Sequence, residues 1–194
     1  MDAFRTHTGL VAPLVRRDID TDQIIPKQFL KRLGRTGFAD ALFYDWRADG
    51  HGQPRLDFVL NQPRFAGASI LLAGANFGCG SSREHAVWAL RDFGFRVVLA
   101  PSFADIFASN ALANGLLAAR IDEPTLATLA ARAEAGDRLT VDLEASQVRA
   151  ADGFSAPIAV DPETRRRLLE GLDDIGLILQ HDAAIRRYEA THRP

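Results

Sequence analysis

The residues best suited to chemistry lie in one string, Asn76-Phe-Gly-Cys-Gly-Ser-Ser-Arg-Glu-His85. Gly78 and Gly80 permit unusual dihedrals and close backbone approach. Ser81 and Ser82 add hydroxyl donors, and the planar fork of Arg83 matches a carboxylate in bidentate fashion. A helix beginning here presents unpaired N–H groups and partial positive charge in its first turn, so the whole set suits a small anion. The plainer reading is a helix cap at Ser82, with Glu84 and His85 in the first turn and no ligand at all. Other glycine-rich motifs do not fit. The third glycine of a dinucleotide fingerprint is missing, no Gly-Lys-Ser/Thr follows, and Ser81 follows Gly80 directly, unlike the G-x-S-x-G of a hydrolase elbow.

The string holds the chain's one cysteine, Cys79, which excludes an internal disulfide and a zinc site built on several thiolates. An iron–sulfur cluster usually takes about four Cys ligands, so another chain would have to bring one. As a nucleophile Cys79 lacks an evident paired base, and a small packing residue in a crowded turn is the simpler reading. His85 could orient Ser81, but packing or capping is favoured.

These residues need a frame. Ser69–Ala75 is an apolar run of strand length, followed by the small-residue loop and an amphipathic helix over Arg83–Gly94 with Ala86, Val87, Leu90 and Phe93 at helical spacing. Arg96–Pro101 reads as a second strand. Ser102 is the expected N-cap of a helix that stops at Gly115, and Leu116–Ile121 reads as a third strand. The alternation predicts βαβ units with a parallel sheet and right-handed crossovers, and it puts the loop at a strand's carboxyl end, where open α/β sheets bind ligands. Around this core, Thr8–Val15 reads as an edge strand with Pro13, Lys27–Leu33 as one or two helical turns, Phe38–Gln53 as an ordered loop, and Asp57–Leu60 as a short strand. Glu123–Ala135 reads as a helix. Leu139–Leu143 and Phe154–Val160 read as strands of a hairpin or meander with Ala151-Asp-Gly153 as its turn. Pro162–Gly171 and Asp182–Thr191 read as helical. No repeat or flexible linker interrupts the chain, so the expectation is one compact α/β domain over residues 1–194, a parallel βαβ core with additional β elements.

With 194 residues, 47% hydrophobic and 25% charged, the chain can bury such a core. Its formal charge of −2 gives no electrostatic case for nucleic acid or an anionic membrane, and Asp residues interleave the Arg and Lys between Arg5 and Arg55. The N-terminal stretch is broken by Pro13 and followed by Arg16 and Arg17, unlike a signal peptide, and no run approaches the ~20 apolar residues of a membrane span. A cytoplasmic location is the expectation.

Asn76-Phe-Gly-Cys-Gly-Ser-Ser-Arg-Glu-His-Ala86 resembles the signature loop of the aconitase superfamily's swivelling domain, as spelled in small subunits of bacterial 3-isopropylmalate dehydratase. Asp20-Thr-Asp-Gln-Ile-Ile-Pro-Lys-Gln-Phe-Leu-Lys31 resembles the family's second signature, and Thr36-Gly-Phe38, Leu42–Arg47, Ala100–Phe107 and Asn110–Gly115 extend the likeness over nearly the full length. Val15-Arg-Arg-Asp-Ile19 departs from the family's acidic-and-Asn spelling, which argues against a ligand role for residues 15–18.

The resemblance implies a swivelling β/β/α fold and a hydro-lyase that interconverts 2- and 3-isopropylmalate by dehydration and rehydration, in leucine synthesis. It implies a large partner subunit that holds a [4Fe–4S] cluster, none bound by this chain, and a small dicarboxylate or hydroxy-acid substrate. By family position Ser81 is the base, Arg83 clamps a substrate carboxylate, and Ser82 donates hydrogen bonds. Thr21 and Asp22 contact the loop or substrate, where a plain Asx-turn is the alternative. Arg32 and Arg35 lie on the segment reaching the substrate's variable group, where a solvated basic surface is the alternative. Leu30, Leu33 and Phe38 are candidates to touch an isopropyl group. Homoaconitate and citraconate-type acids remain open as substrates. Two rivals stand beside this reading: a stand-alone anion-binding module indifferent to Ser81→Ala, and a thiol enzyme at Cys79.

Overall fold

The structure, a computed structural model, describes residues 1–192. Two of its parallel strands are short, wholly apolar and fully buried, because they are covered on both sides. β1 (Thr6–Leu14) leads through a one-turn helix, α1 (Thr21–Ile24), and a long irregular stretch containing α2 (Tyr44–Arg47). Then β2 (Ile70–Ala73), α3 (Glu84–Phe93), β3 (Val97–Ala100), α4 (Asp105–Ala113) and β4 (Leu117–Arg120) alternate as expected. α5 (Glu123–Glu134) precedes a meander of β5 (Arg138–Asp142), β6 (Gln147–Ala150) and β7 (Ser155–Pro157). The helices α6 (Pro162–Glu170), α7 (Asp174–Leu179) and α8 (Asp182–Thr191) follow.

All strands join one seven-stranded mixed sheet in the order β4-β3-β2-β1-β5-β6-β7. β1 is the seam: Val11–Leu14 pair in parallel with Ile70–Ala73, while Thr6–Leu10 pair antiparallel with Arg138–Asp142. Alternate residues of the parallel strands feed two cores. Leu71, Ala73, Val98 and Ala100 point into one, shared with Phe38, Phe43, Phe77, Leu90 and Phe107. Ile70, Leu72, Val97 and Leu99 point into the other, closed by Leu126 and Leu129 of α5, Val141, Val148, and Leu168 of α6. α3 packs by Ala86, Val87, Ala89 and Leu90 and stops at Gly94, whose φ of 117° suits only glycine.

Several expectations are corrected. β1 is interior, since Pro13 sits at its end where its missing N–H costs little. Asp57–Leu60 is not a strand but enters a 3-10 turn over Val59–Asn61 that buries Leu60. α4 begins after Ala104, not at Ser102, because the Ser102 hydroxyl is taken by the Asn76 N–H at 2.8 Å. α3 is capped by Arg83 in extended conformation with no side-chain cap bond, so the Ser82 cap does not form. β6 and α7 were not expected, and the ordered loop Phe38–Gln53 contains α2 and a 3-10 turn at Ala39–Ala41.

Candidate active site

Three loops leave the carboxyl ends of β1, β2 and β3 and extend the parallel sheet by a few residues beyond the strands. The Gly78 N–H donates to the Ile19 carbonyl at 2.8 Å and the Thr21 N–H to the Cys79 carbonyl at 2.9 Å. On the other side the Phe77 N–H donates to the Ser102 carbonyl at 3.1 Å and the Ala104 N–H to the Phe77 carbonyl at 3.0 Å. Residues 77–79 are thereby pinned between 19–21 and 102–104, which removes most of a loop's usual freedom.

Glycine is required within this pin. A Cβ on Gly78 would stand 2.3 Å from Cγ of Phe107, and φ there is +77°. Phe77 and Phe107 meet edge-on with centroids 5.1 Å apart, a rigid floor below the loop. Asn76 takes a left-handed φ of 61°, and its side-chain amide donates to Asp18 at 2.8 Å, so Asp18 is committed to the loop's base.

The loop then turns outward, and Ser81 and Ser82 are exposed. The Ser81 carbonyl accepts a 2.8 Å bond from the Thr21 hydroxyl, and Thr21 is only 2% exposed. α1 is held for this purpose by a capping box in which Asp20 accepts from the Gln23 N–H and Gln23 accepts from the Asp20 N–H. Gly80 lies against Asp20, its imagined Cβ 3.3 Å away. Arg83, half-buried at the start of α3, forms an ion pair with Asp22. A shallow cavity of about 250 Å³ beside it is lined by Asp22, Pro26, Lys27, Gln28 and Asp45. A larger one of about 370 Å³, lined by Phe103, Asp105, Arg120 and Asp161 among others, holds none of the loop's groups. The chemistry therefore sits on an open rim rather than in an enclosed pocket.

Thr21, Asp22, Gly78, Gly80, Ser81, Ser82 and Arg83 thus come together. Arg32 and Arg35 have other neighbours. Arg32 makes a bidentate pair with Asp40 at 2.6 and 2.7 Å and donates to the Gly37 carbonyl at 2.7 Å. That pairing lowers the Asp40 pKa and raises that of Arg32. Arg35 lies over the Trp88 ring, 5.8 Å from its centroid, and is exposed. Of the candidate apolar contacts, Phe38 is fully buried, Leu30 packs partly on the core, and Leu33 is 98% exposed. His85 stands edge-on to Phe38 and beside Trp88, as packing predicts. Burial, together with the charges of Asp20 and Asp18, pushes the Cys79 thiol up, away from the thiolate a nucleophile or metal ligand needs.

Sequence reasoning missed Asp20, Gln23 and Asn114, and it gave Ser102 a helix cap in place of its bond to the Asn76 N–H. Asn114 accepts from the Trp88 indole at 3.0 Å and donates to Glu84 at 2.8 Å, tying the first turn of α3 to the end of α4. Asp20-x-x-Gln23 is a capping-box spacing and was detectable. The others join residues distant in sequence and left no local signal.

Fold and rim define an aconitase-type domain: the Aconitase C-terminal domain family matches residues 1–124. A family described as LeuD_N matches residues 127–162, and the family of the C-terminal domain of 3-isopropylmalate dehydratase small subunits matches 174–194. The chain is 61% identical to the 3-isopropylmalate dehydratase small subunit of Koribacter versatilis, over 99% of this chain and 100% of that protein. It is 55% identical to that of Frankia alni, over 98% and 95%. It is 53% identical to that of Geobacillus kaustophilus, over 100% and 99%. The crystal structure of 3-isopropylmalate dehydratase from Methanocaldococcus jannaschii shares the fold, with a TM-score of 0.68 at 24% identity over 94% of this chain and 99% of that one. The chain belongs to the family of 3-isopropylmalate dehydratase small subunits. No helix among the described residues is long and apolar enough to cross a membrane.

Proposed function

We propose that this chain is the small subunit of a cytoplasmic hydro-lyase that converts 2-isopropylmalate to 3-isopropylmalate by removing and restoring water, and that it works as a single unit with a large subunit. The observation that carries the reading is the Thr21-locked loop, which offers two exposed hydroxyls beside the Arg83 guanidinium. Its open rim leaves one side of the site for a second protein to supply.

Ser81 would take the carbon-bound proton. A serine hydroxyl is a poor base unless its alkoxide is stabilised, and here the N-terminus of α3 and the Arg83 charge both favour an anion. Burial under a partner would strengthen both, because charges interact more strongly away from water. Ser82 would donate to the substrate, and Arg83 would exchange its Asp22 partner for a substrate carboxylate. Asp22 holds the guanidinium in place until then. Arg32, occupied by Asp40, shapes the segment 32–40, which leaves Arg35 as the arginine of that segment free to approach the substrate's side chain.

The chain's own donors do not fit a [4Fe–4S] cluster. Cys79 is the one cysteine, burial and the nearby Asp20 and Asp18 push its thiol up, and among the described residues no group of three or more His, Cys, Asp or Glu could hold a metal. The cluster, a Lewis acid toward hydroxyl and carboxylate oxygens, is assigned to the large subunit.

The test is anaerobic turnover of 2-isopropylmalate by this chain alone and by its mixture with the iron-reconstituted large subunit. Turnover in the mixture only is the expected outcome. A mixture that forms an intact, cluster-loaded complex yet leaves 2-isopropylmalate unchanged contradicts it.

A further inference from the structure

The C-terminal helices are built unlike the rest of the chain. Their root is fixed: the Phe4 N–H donates to the Leu168 carbonyl at 2.8 Å, and Arg167 bonds Asp174 at 2.6 Å and the Leu172 carbonyl at 3.3 Å. Beyond that root the apolar side chains are not buried. Ile175, Ile178 and Leu179 of α7 are 69%, 59% and 61% exposed, and Ile185 and Tyr188 of α8 are 37% and 64% exposed. Their spacings, i, i+3, i+4 in α7 and i, i+3 in α8, are those of a stripe that packs against something. None of the ten residues of α8 is buried. Isolated helices shorter than about 12–15 residues are marginal in water, so such a helix draws its stability from a surface that covers it. Exposed apolar side chains gathered in this way mark an interaction site.

The family boundaries say what covers it. Residues 1–124, with the parallel strands and the Gly78–Arg83 loop, match a domain described as the C-terminal part of aconitase, hence one carried by a longer chain. Residues 174–194 match a domain described by its place in small subunits. A domain joined covalently to its partner needs no docking surface, whereas a detached one does. The exposed stripe falls in the segment whose family is described by small subunits.

We infer that α7 and α8 are the docking element for the large subunit, its apolar stripe seated in an apolar groove of that protein. Charged residues flank the stripe, among them the Asp182–Arg186 pair at 2.7 Å, as a polar rim surrounds the dry centre of an interface. The inference rests on the small-subunit reading above, but its test reads binding rather than turnover.

Full-length chains carrying Ile178→Asp or Ile185→Asp are titrated against the purified large subunit without substrate, with the thermal midpoint and self-association of each chain measured in parallel. These side chains are exposed, so the midpoint stays at the wild-type value. The expected result is a dissociation constant raised tenfold or more in each variant. Wild-type affinity in both variants overturns the inference. So does a wild-type chain that does not bind the large subunit, or a stripe whose substitution disrupts only pairing between two copies of this chain. A wild-type complex that forms through this face but leaves 2-isopropylmalate unchanged sinks the functional reading and leaves the docking element standing.

Discussion

The hydroxyl of Thr21, the buried first residue of α1, donates to the Ser81 carbonyl at 2.8 Å, and the Thr21 N–H holds the Cys79 carbonyl at 2.9 Å. One residue thus fixes the loop at two points on either side of Gly80. Thr21→Val keeps the volume and removes the hydroxyl. Water can reach the freed carbonyl, so stability falls by only about 1 kcal/mol, or about 2–4 °C in thermal midpoint. Turnover falls further, by roughly tenfold, because the base loses its placement. Thr21→Ser restores it. Wild-type kcat in Thr21→Val would show that the bond does not position the loop.

Arg83→Lys tests the carboxylate clamp. Lysine keeps the charge beside Asp22 but loses the planar fork. A charge-assisted bond worth about 1.5–3 kcal/mol is lost to the substrate, so KM rises about 10–100-fold. The fold is little affected, since a partly exposed ion pair contributes about 0–1 kcal/mol. Steady-state kinetics of the assembled enzyme separate KM from kcat. An unchanged KM places the carboxylate elsewhere.

Gly78→Ala should not fold as wild type. The added methyl meets Phe107 at 2.3 Å at a φ of +77°, and crowding plus a strained backbone costs roughly 2–5 kcal/mol. Gly50, with nothing within 4 Å of its imagined Cβ, is the control, and Gly50→Ala leaves the midpoint in place. A midpoint for Gly78→Ala within a degree of wild type would mean the Phe77–Phe107 floor is not rigid.

Cys79 should behave as an unreactive thiol. Burial and the two nearby aspartates push its pKa above its ordinary value, so the protonated form dominates at neutral pH and alkylation accelerates only in alkaline solution. Cys79→Ser should keep turnover in the assembled enzyme within a few-fold. Fast alkylation at neutral pH, or loss of turnover in the serine variant, would restore the thiol-enzyme reading.

The parts legible in the sequence were those whose signal is local. β2 and β3 are sandwiched between two cores and so read as unbroken apolar runs, β4 does so as far as Arg120, and the helices between them announce themselves by spacing and by Gly94 and Gly115. β6 offers only Val148 as a buried residue and pairs through its backbone, leaving little for a pattern to show. The Asp57–Leu60 misreading has the same origin, since four residues cannot distinguish a strand from a tight turn that buries Leu60 and Phe58. In the site, Gly78, Gly80 and the Ser-Ser-Arg triplet were readable because they are contiguous. The clamp from Thr21 reaches across 60 positions, and the end of Ser102 as a cap depended on Asn76, which is 26 positions away. The Arg32–Asp40 pair left no signal either, because its members are eight residues apart along an irregular segment with no periodicity to pair them.

The most direct measurement is kcat of Ser81→Ala in the assembled, cluster-loaded enzyme, with affinity for the large subunit measured on the same sample. Losing the base should lower kcat by about 10²–10⁴-fold while leaving that affinity and the thermal midpoint unchanged. Turnover within a few-fold of wild type would contradict the assignment of the proton to Ser81 and reduce the loop to an anion cradle.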